Sequence, residues 1–298
     1  TFTEPATLDR LLAALPRATE VTIEANPETI HAGLTAVLAR NGVNRVSIGA
    51  QTFNAALLDV LGRRARPEDV RRAVHLLRHE GVDNISLDLI YGIPGETASD
   101  LERDLEAALA LAPDHLSCYE LEAKPGTRFT HAYGAELARQ AEAMEGYFEL
   151  LVERLVGAGY RWYETANFCR PGREARHNLA YWLGRDYLGI GIGAVSTVGP
   201  RRWRNAPQLR AYIAALARGQ RPACEVEILD AATKVRERLM LGLRLDEPVA
   251  LADVEAAVDE DALARAEQLG LAERPPNGLT LTRRGRFLGG AVTAELMT

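Results

Sequence analysis

The sequence predicts an α/β fold: parallel strand–helix units, followed by a small module of helices and a two-stranded hairpin. Three observations carry this. Short apolar runs alternate with helical patterns through the first 120 residues. Each run delivers a polar residue near its C-terminal end. Residues 229–298 change pattern, reading as helices and then a turn-linked pair of strands.

Strands are expected near 20–24, 45–51, 85–91 and 115–121. Val21-Thr22-Ile23 leads into Glu24-Ala25-Asn26-Pro27, and Val46-Ser47-Ile48-Gly49-Ala50 into Gln51-Thr52-Phe53-Asn54. Asp88 interrupts the apolar run Ile85–Pro94, which reads as a strand buried on both faces. An ionised carboxylate there costs several kcal/mol unless it is paired or hydrogen-bonded, so Asp88 needs a reason. Between the strands, Ile30–Arg40, Pro67–Glu80 and Asp100–Ala112 place apolar residues three and four apart, the spacing of a helix with one buried face. Parallel units of this kind have right-handed connections, so all strand C-termini lie on one edge, where ligands bind. Glu24, Gln51 and Asp88 are therefore expected to converge.

A helix is expected near 136–158. The stretch Tyr160–Thr197 follows, rich in aromatic residues, with Gly189, Gly191 and Gly193 alternating with Ile190 and Ile192. This is not the dinucleotide fingerprint. Alternating glycines, read as part of a strand, suggest a close approach to the backbone. Composition shifts near 218–227, and the expected division is 1–225 and 226–298. In the second part helices are expected near 230–243, 250–258 and 261–269, then a hairpin through Pro275-Pro276-Asn277-Gly278 and a last helix near 284–297. This reads as a winged-helix-like module. Its 12 acidic and 9 basic side chains favour a structural or docking role over DNA binding.

With 298 residues, 47% hydrophobic and 26% charged, the chain reads as globular. The net charge of −6 argues against a general nucleic-acid binder. Cys118, Cys169 and Cys224 are few, odd in number and widely spaced, which fits a reducing, cytoplasmic setting rather than a disulfide framework. No apolar stretch reaches membrane-helix length.

A pocket rimmed by Glu24, Gln51, Asp88 and either Arg63 or Arg64 has a definite chemistry. Carboxylates and an amide suit vicinal hydroxyls or an ammonium group, and an arginine suits a carboxylate. S-adenosylmethionine (SAM) carries all of these groups. The sequence has no P-loop, so a nucleoside triphosphate fits less well. His177, on residues alone, reads either as an ordinary surface histidine or as a metal ligand among aromatics.

Several motifs resemble the radical SAM proteins related to oxygen-independent coproporphyrinogen III oxidase. They are Glu24-Ala25-Asn26-Pro27, Ser47–Asn54, Leu61-Gly62-Arg63, Asp88–Thr97 and Pro125-Gly126-Thr127. Further segments resemble the HemW branch, the haem chaperones: Tyr163-Glu164, Asn167-Phe168, His177-Asn178-Leu179-Ala180-Tyr181-Trp182, Tyr187–Gly191, Arg202–Asn205 and Leu239–Arg244. The resemblance implies a partial (β/α)6-type barrel holding a [4Fe-4S] cluster and SAM. It assigns Glu24, Gln51, Arg63 and Asp88 to SAM, preferring Arg63 over Arg64 on its spacing from Gln51. It also implies haem binding near His177, with His177 as the candidate iron ligand, and transfer of haem to respiratory haem proteins, including those at a membrane surface.

The family's C-x-x-x-C-x-x-C loop is absent, and the chain is expected to be N-terminally truncated, starting just after the first units. The three cysteines lie too far apart to replace a clustered triad. No catalytic residue is assigned. Three readings compete: a haem chaperone, favoured by the segment His177–Trp182; an oxidase that decarboxylates coproporphyrinogen III in porphyrin biosynthesis; and a plain structural or interaction module.

Overall fold

A computed structural model describes residues 3–297. The chain divides between Ala175 and Arg176 into two compact units.

The first unit is built on a six-stranded sheet. Its strands are β1 (Thr22–Ala25), β2 (Arg45–Gln51), β3 (Asn84–Tyr91), β4 (His115–Glu120), β5 (Arg161–Glu164) and β6 (Asn167–Cys169), in the order β1-β2-β3-β4-β6-β5. The first four strands pair in parallel. β6 runs antiparallel to β4, and β5 antiparallel to β6. The sheet therefore has six strands, but only four belong to parallel strand–helix units; a hairpin supplies the other two.

The outer face of β3 is apolar: Ile85, Leu87, Leu89 and Tyr91 are buried. The helix Pro67–His79 packs on β2 and buries Val70, Ala73, Val74 and Leu77. Its start is set by Pro67 at the first turn and by Asp69, whose Oδ2 accepts from Arg66 N at 2.8 Å. The helix Ala98–Ala110 starts at a reciprocal cap, with Asp100 N donating to Thr97 Oγ1 and Thr97 N donating to Asp100 Oδ2. The expected 136–158 helix is broken: Arg128–Gln140 and Met144–Gly157 are joined by a tight 3-10 turn, Ala141–Ala143.

The second unit contains a three-stranded antiparallel sheet, β7 (Val195–Val198), β8 (Arg201–Asn205) and β9 (Cys224–Ile228), with β8 in the middle. β9 crosses the 225/226 junction read from composition, so compactness groups residues 176–225 with the C-terminal module rather than with the barrel. Leu239, Val249, Val254, Leu263, Leu279 and Leu296 belong to that module's core. The helices Ala231–Gly242 and Glu260–Gln268 and the hairpin β10 (Ala272–Glu273) and β11 (Thr280–Leu281) form as expected. The expected helix at 250–258 is two 3-10 turns, and the last helix breaks between Phe287 and Gly289.

The glycines Gly189, Gly191 and Gly193 lie in a loop rather than a strand. Gly191 and Gly193 have φ of 108° and 67°, outside extended geometry. A close approach is real, but it is the chain's own: a Cβ on Gly189 would overlap the Val195 carbonyl oxygen. No helix among the described residues is long and apolar enough to cross a membrane.

Candidate functional site

Register places the polar residues of the first unit on one face of the sheet. Glu24 pairs with Ser47, Gly49 with Asp88, and Asp88 with Ser117. Since side chains alternate along a strand, these groups share the inner face. Glu24, Gln51, Arg63 and Asp88 all line one cavity of about 300 Å3, together with Ala25, Asn26, Ser47 and Gly49. Arg64 does not line it.

Asp88 is braced. Ser47 Oγ donates to its Oδ1 at 2.8 Å, and the Ser117 hydroxyl also bonds it. Burial raises its carboxyl above the ordinary range; the two hydroxyls and the Arg45 charge oppose that rise, and Glu24 adds to it. Arg63 is exposed at the rim and has no ion-pair partner among the described residues, so its guanidinium is available to an anion. Ser86 Oγ bonds His115 Nδ1 at 2.9 Å, and His115 Nε2 bonds the Tyr163 hydroxyl at 2.8 Å. Burial drives the His115 imidazole well below its usual pKa, so it is neutral.

Gln51 carries the feature that sequence reading missed. Its φ is 65°, in the left-handed region. For a residue with a side chain this costs about 1–2 kcal/mol. The strain sits at a break in the β2–β3 register between Gly49 and Gln51. The next residues hold it in place. Thr52 N donates to Ala50 O at 2.8 Å, Phe53 N to Asp104 Oδ1 at 2.7 Å, and Asn54 Nδ2 to Asp100 Oδ1 at 3.0 Å. The Gln51 amide then folds over Gly49, where a Cβ would meet Gln51 Nε2 at 2.7 Å. Gly49 is the residue that leaves room for the amide. Ser47 and Ser117 were also missed. Their signal was inward alternation on neighbouring strands.

The cavity thus holds two carboxylates, two amides, a hydroxyl and a guanidinium. That donor set fits a ribose diol, an ammonium and a carboxylate together. A volume of about 300 Å3 lies at the small end of ligand pockets.

The thiols do not fit an iron–sulfur cluster. Cys118 and Cys169 are buried, Cys224 is exposed, and no three His, Cys, Asp or Glu residues are grouped to hold a metal among the described residues. Burial pushes the Cys118 thiol far up, keeping it protonated.

His177 lies in the second unit, exposed on the helix Arg176–Trp182. Tyr181, one turn on, meets its ring edge-on at 4.8 Å, and Tyr187 meets Tyr181 edge-on at 4.6 Å. Tyr187 is fixed by paired backbone hydrogen bonds with Thr197 at 2.9 and 3.0 Å. The Arg244 guanidinium lies 4.5 Å from the Trp182 ring centre. The arrangement is an imidazole standing on an aromatic ledge, a geometry suited to an axial ligand beside a flat macrocycle.

Residues 3–108 match the Radical SAM superfamily, and residues 229–288 match the HemN C-terminal domain. The fold is that of the radical SAM coproporphyrinogen III oxidase HemN of Escherichia coli. The TM-score is 0.77 at 21% identity, covering 98% of this chain and 74% of that one. The chain is 37% identical over 280 residues to the heme chaperone HemW of Mycobacterium tuberculosis, covering 93% of this chain and 72% of that protein. It is 31% identical over 295 residues to heme chaperone HemW of Bacillus subtilis, covering 96% and 78%. The chain belongs to the HemW family.

Proposed function

We propose that this chain is a haem chaperone on a radical SAM scaffold, binding haem at His177 and passing it to respiratory haem proteins. The observation that carries the reading is the 37% identity over 93% of the chain with a protein named a heme chaperone. The aromatic ledge around His177 supports it. The oxidase alternative draws on the HemN likeness, which at 21% identity bears on fold alone. The reading places the protein in the cytoplasm, which suits its three free thiols.

Glu24, Gln51, Arg63 and Asp88 would hold SAM in the first unit. The carboxylates and the amide would meet its hydroxyls and ammonium, and Arg63 its carboxylate. When bound, that group supplies a reducible sulfonium. A [4Fe-4S] cluster has no matching ligand set among the described residues.

Haemin titration of the purified chain, followed at the Soret band, tests the proposal. Saturable binding to the wild type is expected, with His177→Ala weakened about tenfold, or about 1.4 kcal/mol. An unchanged Soret band in the variant removes His177 as ligand. No binding to the wild type removes the chaperone reading.

A further inference from the structure

The segment Leu188–Gly193 is unusual for a surface loop. It presents three aliphatic side chains to solvent: Leu188 is 71%, Ile190 83% and Ile192 43% exposed. Connecting segments are normally polar and mobile, and contiguous exposed apolar groups commonly mark a binding surface. Yet this loop is tightly braced. Gly189 N donates to Ser196 Oγ at 2.9 Å, and Gly191 N donates to the Tyr212 hydroxyl at 3.1 Å. Asn205 Nδ2 donates to Gly191 O at 2.9 Å, and Gly193 N donates to Asn205 O at 3.1 Å. Glycines facing inward take those bonds, and the aliphatic side chains are left facing out. A loop held this firmly in an outwardly apolar form is pre-organised for an apolar surface.

Two features select the occupant. The first is continuity: Tyr187 opens the loop, and its ring continues through Tyr181 to His177. The second is charge. Arg185 precedes the loop, and Arg204 pairs in register with Val195, the residue against which Gly189 packs. Both arginines are exposed, and neither has an ion-pair partner among the described residues, although Glu225 is the cross-strand neighbour of Arg204. A flat apolar body carrying carboxylates matches this set, and a tetrapyrrole with its propionates has that chemistry.

We infer that the Leu188–Gly193 loop is a second wall of the tetrapyrrole site, seating the macrocycle on Ile190 and Ile192 while Arg185 and Arg204 receive its carboxylates. The inference rests on the haem reading above, but it concerns the macrocycle rather than the iron. Its consequence is that metal-free porphyrin, which offers His177 nothing to ligate, still binds through the loop.

The experiment titrates the purified chain with haemin and with metal-free protoporphyrin IX, reading tryptophan quenching and porphyrin absorbance. Ile190→Ser/Ile192→Ser is expected to weaken both ligands about tenfold. His177→Ala is expected to weaken haemin alone. Because both isoleucines are exposed, the double variant is expected to keep the wild-type melting temperature. Tyr212→Phe, which removes one brace and no apolar surface, is expected to weaken both ligands by a smaller factor. Haemin binding by the wild type that is undiminished in the double variant overturns the loop assignment and leaves the haem reading standing. Absence of haemin binding to the wild type overturns both. Undiminished porphyrin affinity, together with loss of binding to phosphatidylglycerol vesicles or loss of self-association, gives the loop to a lipid surface or a second copy and also overturns the assignment.

Discussion

The cavity in the first unit and the aromatic ledge in the second are built by different physics. Glu24, Gln51 and Asp88 are distant in sequence and meet because parallel register brings their strands together, and Arg63 joins them from the loop after the helix Ala55–Val60. The ledge is local: His177 and Tyr181 are one helical turn apart, and Tyr187 follows six residues later. The cavity holds a strained backbone and a carboxylate whose charge burial disfavours. The ledge holds an exposed imidazole on half-buried rings and has little to distort. A site assembled from remote strands depends on topology and tolerates little change in shape. A site assembled from one helix and one loop depends on surface chemistry. The first should therefore be broken by sterics, the second by removing contacts.

The largest effect on ligand affinity is expected at Gly49. Gly49→Val puts a branched side chain into the cavity that Gly49 lines and displaces the Gln51 amide, whose Nε2 lies 2.7 Å from even a bare Cβ. S-adenosylhomocysteine affinity, measured by titration calorimetry, is expected to fall at least a hundredfold, about 2.7 kcal/mol. Haemin affinity is expected to stay unchanged, and a parallel loss of both would break the comparison.

Next comes the pH dependence of the first unit. Burial pushes the Glu96 carboxyl up to about 7, against hydrogen bonds from the Ile93 and Gly92 amides. Asp104 is pushed up to about 6, also by burial. A raised folded pKa means that the folded chain keeps a proton the unfolded chain releases near pH 4. That stability is full below about pH 4 and is lost as pH rises through about 7. Glu96→Gln carries no charge at any pH, so it is expected to flatten the loss by about 3 kcal/mol between pH 4 and 8, at 1.36 kcal/mol per unit. Urea unfolding at both pH values checks it, and a slope equal to the wild type contradicts it.

Gln51→Gly sharpens the contrast further. It relieves the left-handed strain and is expected to raise stability by about 1 kcal/mol, while S-adenosylhomocysteine binding falls. Thermal melts and calorimetry on the same protein read both effects. The smallest effect is expected at a residue that belongs to neither site. Asp230 caps the helix Ala231–Gly242, its Oδ1 accepting from Thr233 N at 2.7 Å. Asp230→Ala is expected to cost about 1 kcal/mol in urea unfolding and to leave both ligand affinities alone.

Much of this architecture was legible in the residues. Polar groups closing apolar runs marked the cavity, and Pro275–Gly278 marked the C-terminal hairpin. The β5–β6 hairpin was not legible, because its turn carries no glycine or proline. Glu164 makes that turn instead, with its buried Oε2 accepting from Ala166 N at 2.9 Å and also from Asn167. A side chain substituting for turn residues leaves no compositional mark. Gln51 was read as a polar strand end, but its positive φ was invisible, since glutamine carries no preference for it. The glycine run 189–193 misled for the opposite reason. Alternation looks like a strand, and only the dihedral angles reveal a loop.

The most direct measurement is a two-ligand matrix. Equilibrium dialysis of S-adenosylhomocysteine and haemin would be run against the wild type, Arg63→Ala and His177→Ala. Arg63→Ala is expected to lose the adenosyl ligand about tenfold and keep haemin, and His177→Ala to do the reverse. If either substitution weakened both ligands equally, or neither ligand bound the wild type, two separately built sites could not be the basis of this chain's function.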